Sequence, residues 1–244
     1  MAQLRKKRTK LSPTQIIALT FAGIILLGTI LLNLPAASRS GQSAGLLNSL
    51  FTATSATCVT GLVMFDTWSQ WSGFGQTVIL CLIEIGGLGF MSAASLVVFL
   101  FRKKVSLRQR MLIAQALSLN EMEGAVQLQK WVLFGSLSVQ AVGALVLTLH
   151  FLPDYGLKQA AIWGVFHAIS AFCNAGFDIF GVLQPGSSVA CFNNDPVVLI
   201  TLMCLIAVGG LGFFVWEELA RIRLVERAPG MPFYQAFLAL QEKE

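Results

Sequence analysis

Charge is what this chain has least of: of 244 residues only 12% are Asp, Glu, Lys or Arg, against 55% hydrophobic and a mean hydropathy of +0.72. That is too little polar surface to cover a water-facing globule, which points to a lipid bilayer as the solvent. The five cysteines (Cys58, Cys81, Cys173, Cys191, Cys204) lack metal-ligand spacing, so neither a zinc site nor a disulfide framework is indicated, and they read as small hydrophobes. No nucleophile, base and orienting group occur together, so the expectation is a protein that is not an enzyme. Neither a covalently bound cofactor nor a nucleic-acid partner is expected.

What is present is a set of long apolar runs. Residues 11–34, 74–101, 131–152 and 196–216 reach or approach the roughly 20 residues that cross ~30 Å of hydrocarbon as a helix. A cleaved signal peptide competes for 11–34, but that run is too long. With the amino terminus inside, segments 1–10, 102–130 and 217–244 hold 5, 6 and 4 Lys or Arg, leaving only Arg39 and Lys158 of the 17 outside. The positive-inside rule therefore places both termini of the segment in the cytoplasm. The half-hydrophobic stretch 46–65 cannot cross alone, because that would put Arg102, Lys103 and Lys104 on the wrong side. It is expected to enter and leave by one face, which backbone does only where it is buried in protein or lines water.

The chain also repeats itself. A shift of 115 lays residues 51–62, FTATSATCVTGL, over 166–177, FHAISAFCNAGF, with six of twelve identical. A shift of 123 lays 83–90 over 206–213, with six of eight identical and Gly-Gly-Leu-Gly in both. The predicted fold class is thus an all-α polytopic membrane protein of two tandem helix, re-entrant pore loop, helix units in parallel repeat. The boundaries are a basic cytoplasmic terminus (1–10), a first unit (11–101), an amphipathic cytoplasmic connector (102–130), a second unit (131–219) and a cytoplasmic segment (220–244). The connector opens on a capping box, Ser106 with Gln109, and suits lipid headgroups or a soluble partner.

Each loop carries a glycine where backbone carbonyls could turn to one axis and replace the water around a dehydrated cation. The candidate strips are Thr57, Cys58, Val59, Thr60 and Gly61, and Phe172, Cys173, Asn174, Ala175 and Gly176. The competing reading is two ordinary glycine turns, and duplication of the whole pattern weighs against it. Asp66 and Asp178 follow the glycines and, with Asp154 and Asp195, set four acids against two bases outside, a vestibule that would concentrate cations. Glu84, inside an apolar run, marks a functional site or a buried partner, although Ala207 matches it in the second unit. Gly-Gly-Leu-Gly is read as a close helix crossing in mid-helix, and His167 as a satisfied polar contact. The rival functions are a carrier of another solute and a non-transporting scaffold.

The motifs at 51–62 with Asp66, at 83–91, at 166–178 (FHAISAFCNAGFD) and at 209–216 (GGLGFFVW) resemble the Trk/Ktr/HKT superfamily of potassium transporters, most of all the Ktr-type membrane subunit. The resemblance implies potassium uptake at the plasma (inner) membrane through four such units, with Gly61 and Gly176 as two of four filter glycines and potassium as the only metal, held at the filter. It also implies homodimers and a cytoplasmic nucleotide-binding regulatory ring, with sodium as a coupling or activating ion. In some plant members a Ser at the first filter glycine goes with sodium transport, so Gly61 points to potassium. Only two units are present, so the chain is expected to be the amino-terminal half of a longer protein.

Overall fold

A computed structural model describes residues 13–89, 125–212 and 215, and the described residues form helices and turns with no strand beyond one isolated bridge, Ser38 to Trp71. The basic terminus 1–10, the capping box at Ser106, Trp216 and the segment 220–244 lie outside the described residues.

Helix α1 (Pro13–Asn33) carries no charged residue and leaves Leu26, Leu27 and Ile30 exposed, as a helix does when its outer face meets lipid rather than water. The chain then passes a 3-10 turn at Pro35–Ala37 and enters α2 (Leu46–Thr57), which buries Ser49, Thr52, Ser55 and Thr57 as well as Ala53 and Ala56. A short α3 (Thr67–Gln70) leads to α4 (Gly73–Gly87). Arg39 stacks 4.0 Å above the Trp68 ring and donates to the Trp68 carbonyl, tying the outer loop to α3.

Helix α5 (Ala125–Phe172) is two arms joined at Gly156, whose φ of 72° and ψ of 161° break the helix three residues after Pro153. The arms fold back on one another: Trp163 of the second packs 5.5 Å from Phe151 and 4.7 Å from Tyr155 of the first, between ring centroids. Two 3-10 turns, Phe180–Val182 and Ser188–Phe192, precede α6 (Pro196–Gly210). Asp195 caps α6 through the N–H groups of Val197 and Val198 at 3.1 and 3.2 Å, and Ser72 caps α4 through the N–H of Gly75 at 3.3 Å. Leu82 packs on Gly28 as Leu205 packs on Gly143, each pair joining an inner to an outer helix.

The structure corrects the extent of the inner helices. The runs 74–101 and 196–216 were expected as continuous helices with Gly-Gly-Leu-Gly in mid-helix, yet α4 stops at Gly87 and α6 at Gly210. Leu88 and Leu211 donate their N–H to Glu84 and Ala207 carbonyls, each at 3.1 Å, and Gly89 and Gly212 follow with φ of 79°. The last glycine of each motif therefore closes a helix in the left-handed conformation, a stop that hydropathy alone does not register. Among the described residues only Val132–Phe172 is long and apolar enough to cross a membrane, and it includes the reversal at Gly156.

Candidate functional site

Both loops are built by the same helix ending. Cys58 N donates to Thr54 O at 2.8 Å and Thr60 N reaches back to Ser55 O at 3.0 Å; Cys173 N donates to Ile169 O at 2.9 Å and Ala175 N reaches Ser170 O at 2.8 Å. The long backward bond, with a left-handed residue just before its donor, is the Schellman ending. That left-handed residue is Val59 (φ 56°) in the first loop and Asn174 (φ 58°) in the second. Two residues later Gly61 and Gly176 adopt φ of 72° and 71°.

The two loops meet at these glycines. A Cβ on Gly61 would lie 2.8 Å from the Ala175 carbonyl oxygen and 3.5 Å from Gly176 Cα, so the first loop can approach the second only without a side chain there. The inner helices come equally close from behind: a Cβ on Gly86 would sit 2.0 Å from Thr57 O, and one on Gly209 would sit 1.9 Å from Phe172 O. The first carbonyl of each strip thus rests on an inner-helix glycine. Within the remaining strips Cys58, Thr60, Asn174 and Gly176 are exposed, while Cys173 and Ala175 are buried.

Local hydroxyls fasten the strips differently. Ser55 and Thr60 share a 2.8 Å hydrogen bond in the first loop, whereas Ser170 donates to Phe177 O at 2.6 Å in the second. Gly87 of α4 lies against Cys173, where a Cβ would come within 2.5 Å of Sγ. Glu84, one turn earlier, accepts from Gln140 Nε2 at 3.1 Å and from the Cys173 thiol at 3.6 Å. Sequence reasoning marked Glu84 but missed Gln140. The available signal was a buried amide in an apolar helix, at a position that Ile25 fills in the first unit.

The acids beyond the glycines have local work. Asp66 caps α3 by accepting from Ser69 N at 2.8 Å and from the Ser69 hydroxyl, and its other oxygen takes Gly186 N of the second unit at 3.5 Å. Asp178 accepts from Phe180 N at 3.2 Å. Burial holds the Asp178 carboxyl above the usual carboxylate range; hydrogen bonds from Ser188 and Phe180 N pull the other way, and the Asp66 charge adds to the rise. Asn174, Gly176, Asp178, Ser170 and Ser188 line an open pocket of about 190 Å³ beside the second loop.

His167 is satisfied at both nitrogens. Nε2 accepts from Ile179 N at 3.2 Å, which leaves the proton on Nδ1 to donate to Trp163 O at 2.8 Å, and the ring stacks 3.7 Å from Phe180. It is therefore not free to act as a base or a ligand.

The family model described as TrkH, cation transport protein, matches residues 5–240. The chain is 40% identical over 223 residues to the potassium/sodium uptake protein NtpJ of Enterococcus hirae, covering 91% of this chain and 48% of that protein. It is 39% identical to the Ktr system potassium uptake protein B of Bacillus subtilis, covering 89% and 47%, and 37% identical to that of Vibrio alginolyticus, covering 89% and 46%. The chain thus spans about half the length of the curated relatives it matches.

Proposed function

The chain belongs to the TrkH family of cation transport proteins, a membrane family and not one of enzymes, and from that premise we propose that it supplies two of the pore units of a potassium uptake pathway. Each unit runs as outer helix, re-entrant loop and inner helix: α1, α2 and α4 in the first, and the two arms of α5 with α6 in the second. The observation that carries this reading is the contact of two helix endings of the same geometry at Gly61 and Gly176. Two glycines with positive φ that meet across the repeat let the loops approach without side chains, which suits carbonyls gathered round one axis.

The path is lined by the main chain of residues 58–61 and 173–176, with Thr57 O and Phe172 O anchored on Gly86 and Gly209. Asp66 and Asp178 form an outer mouth that raises the local cation concentration. The ion is potassium. Sodium, which the Enterococcus relative's name includes, acts as a coupling ion. Positive residues keep both ends of the segment cytoplasmic. A full-length homodimer working with a cytoplasmic nucleotide-binding ring completes the proposal.

The test is rubidium uptake by the full-length protein carrying this segment, with Gly61 or Gly176 replaced by Val. Uptake should fall to background while the protein still reaches the membrane. Wild-type uptake in both variants would sink the reading.

A further inference from the structure

A carboxylate inside an apolar helix must find partners or neutralise, because hydrocarbon and packed protein solvate it poorly. Glu84 finds both of its recorded partners in the second unit. Its Oε2 accepts the buried Gln140 amide at 3.1 Å and the Cys173 thiol at 3.6 Å, and the same amide nitrogen lies 4.0 Å from Cys173 Sγ. Three segments, α4, the first arm of α5 and the second loop, converge on one side chain of a proposed filter strip. Glu84 Oε1 is buried and makes no hydrogen bond among the described residues, so within them the carboxylate is held through Oε2.

The arrangement has no counterpart in the first loop. Cys58 matches Cys173, and Ile25 stands at the position that matches Gln140. Gly87 brings α4 near enough for the bond, its absent Cβ leaving room for Cys173.

We propose that Glu84 is a specificity-determining positioning residue: held with Gln140, it anchors the Cys173 side chain from behind and so fixes the spacing of the strip from Cys173 to Gly176 that distinguishes potassium from sodium. This rests on reading the loops as the ion path. Whether a filter selects by cavity size or by the field of its carbonyls, a strip that slackens loses discrimination before it loses conduction.

The test measures rubidium and sodium flux in proteoliposomes of the full-length protein at matched protein amounts. Glu84→Ala and Cys173→Ala should each lower the rubidium-to-sodium preference by roughly fivefold, the scale of one lost buried hydrogen bond, and in Glu84→Ala, whose side chain lies outside the strip, rubidium flux should stay within about twofold. The double variant should fall no further than either single one, because both remove the same tether. Glu84→Gln and Cys173→Ser keep an acceptor and a donor, and should restore the preference to within about twofold of wild type. Unchanged preference in Glu84→Ala or Cys173→Ala overturns the proposal. So does a double variant whose loss is the product of the two, or a Glu84→Gln that behaves like Glu84→Ala. If Glu84→Ala fails to reach the membrane, Cys173→Ala and Glu84→Gln decide by the same criteria. Failure of the ion-path reading would look different: Gly176→Val would keep wild-type rubidium flux whatever the Glu84 variants did.

Discussion

The first and second loops end their helices with the same hydrogen bonds, yet they are held in opposite ways. The second has Asn174 at its left-handed position, a residue that tolerates it, and a cysteine gripped by Gln140 and Glu84. The first puts a β-branched Val59 there, at a cost of about 1–3 kcal/mol. Strain of that kind persists only where surrounding contacts over-determine the backbone. In the first loop those contacts are the Ser55–Thr60 hydroxyl pair and the approach of Gly86. Duplication thus preserved the backbone path while letting the means of fastening diverge.

The strongest test of what the loops share lies behind them. Gly86→Ala and Gly209→Ala would push a methyl to within 2.0 and 1.9 Å of Thr57 O and Phe172 O, where backbone must move. Overpacking of this kind costs about 1–3 kcal/mol or more, and rubidium uptake should drop by at least about tenfold in both variants. A large drop in one and none in the other would break the equivalence of the units. Next in size comes a difference between Gly61 and Gly176. Gly61→Ala adds a 2.8 Å clash with Ala175 O to the left-handed strain, whereas Gly176→Ala meets Gly61 Cα only at 3.4 Å. Uptake should suffer several-fold more in the first, on the scale of about 1 kcal/mol; equal losses would mean that the loops do not meet as described.

These contrasts also mark where sequence was informative. The matched glycines, the helical fold and the relation to the Trk/Ktr group could be read from residues, because small residues at close approaches repeat visibly. The ends of α4 and α6 could not, since the hydropathy of 88–101 continues past a stop set by the φ of Gly89. Glu84 announced itself as a carboxylate in an apolar run, but its partners lie 56 and 89 residues away and have no periodic signature. Asp66 was expected as a vestibule charge. In the structure its carboxylate caps α3 and lies against Gly181 of the second unit, where a Cβ would come 2.2 Å from Oδ1.

A smaller effect separates the strained position from the relaxed one. Val59→Asn should stabilise the protein by about 1 kcal/mol and Asn174→Val should destabilise it by a similar amount, both from relief or introduction of left-handed strain. Thermal unfolding in detergent reads both, and the opposite signs are the point: two changes of the same sign would mean that side-chain packing, not backbone strain, governs these positions.

The smallest expected effect concerns the proposed mouth, where Asp178 takes its proton more readily than an ordinary carboxyl because burial and the Asp66 charge disfavour its ionised form. Its attraction for cations is present above that raised value and is lost as pH falls through it, ahead of any ordinary carboxylate. Folding stability runs the other way at this group: a raised folded value means the contribution is present at low pH and is lost as pH rises through the folded value. Mild acid should therefore raise the KM for rubidium by about two- to threefold at low ionic strength without unfolding the protein through this group. Asp178→Asn should show the higher KM at every pH and no acid-dependent rise. A variant that kept the full pH response would assign it to another group.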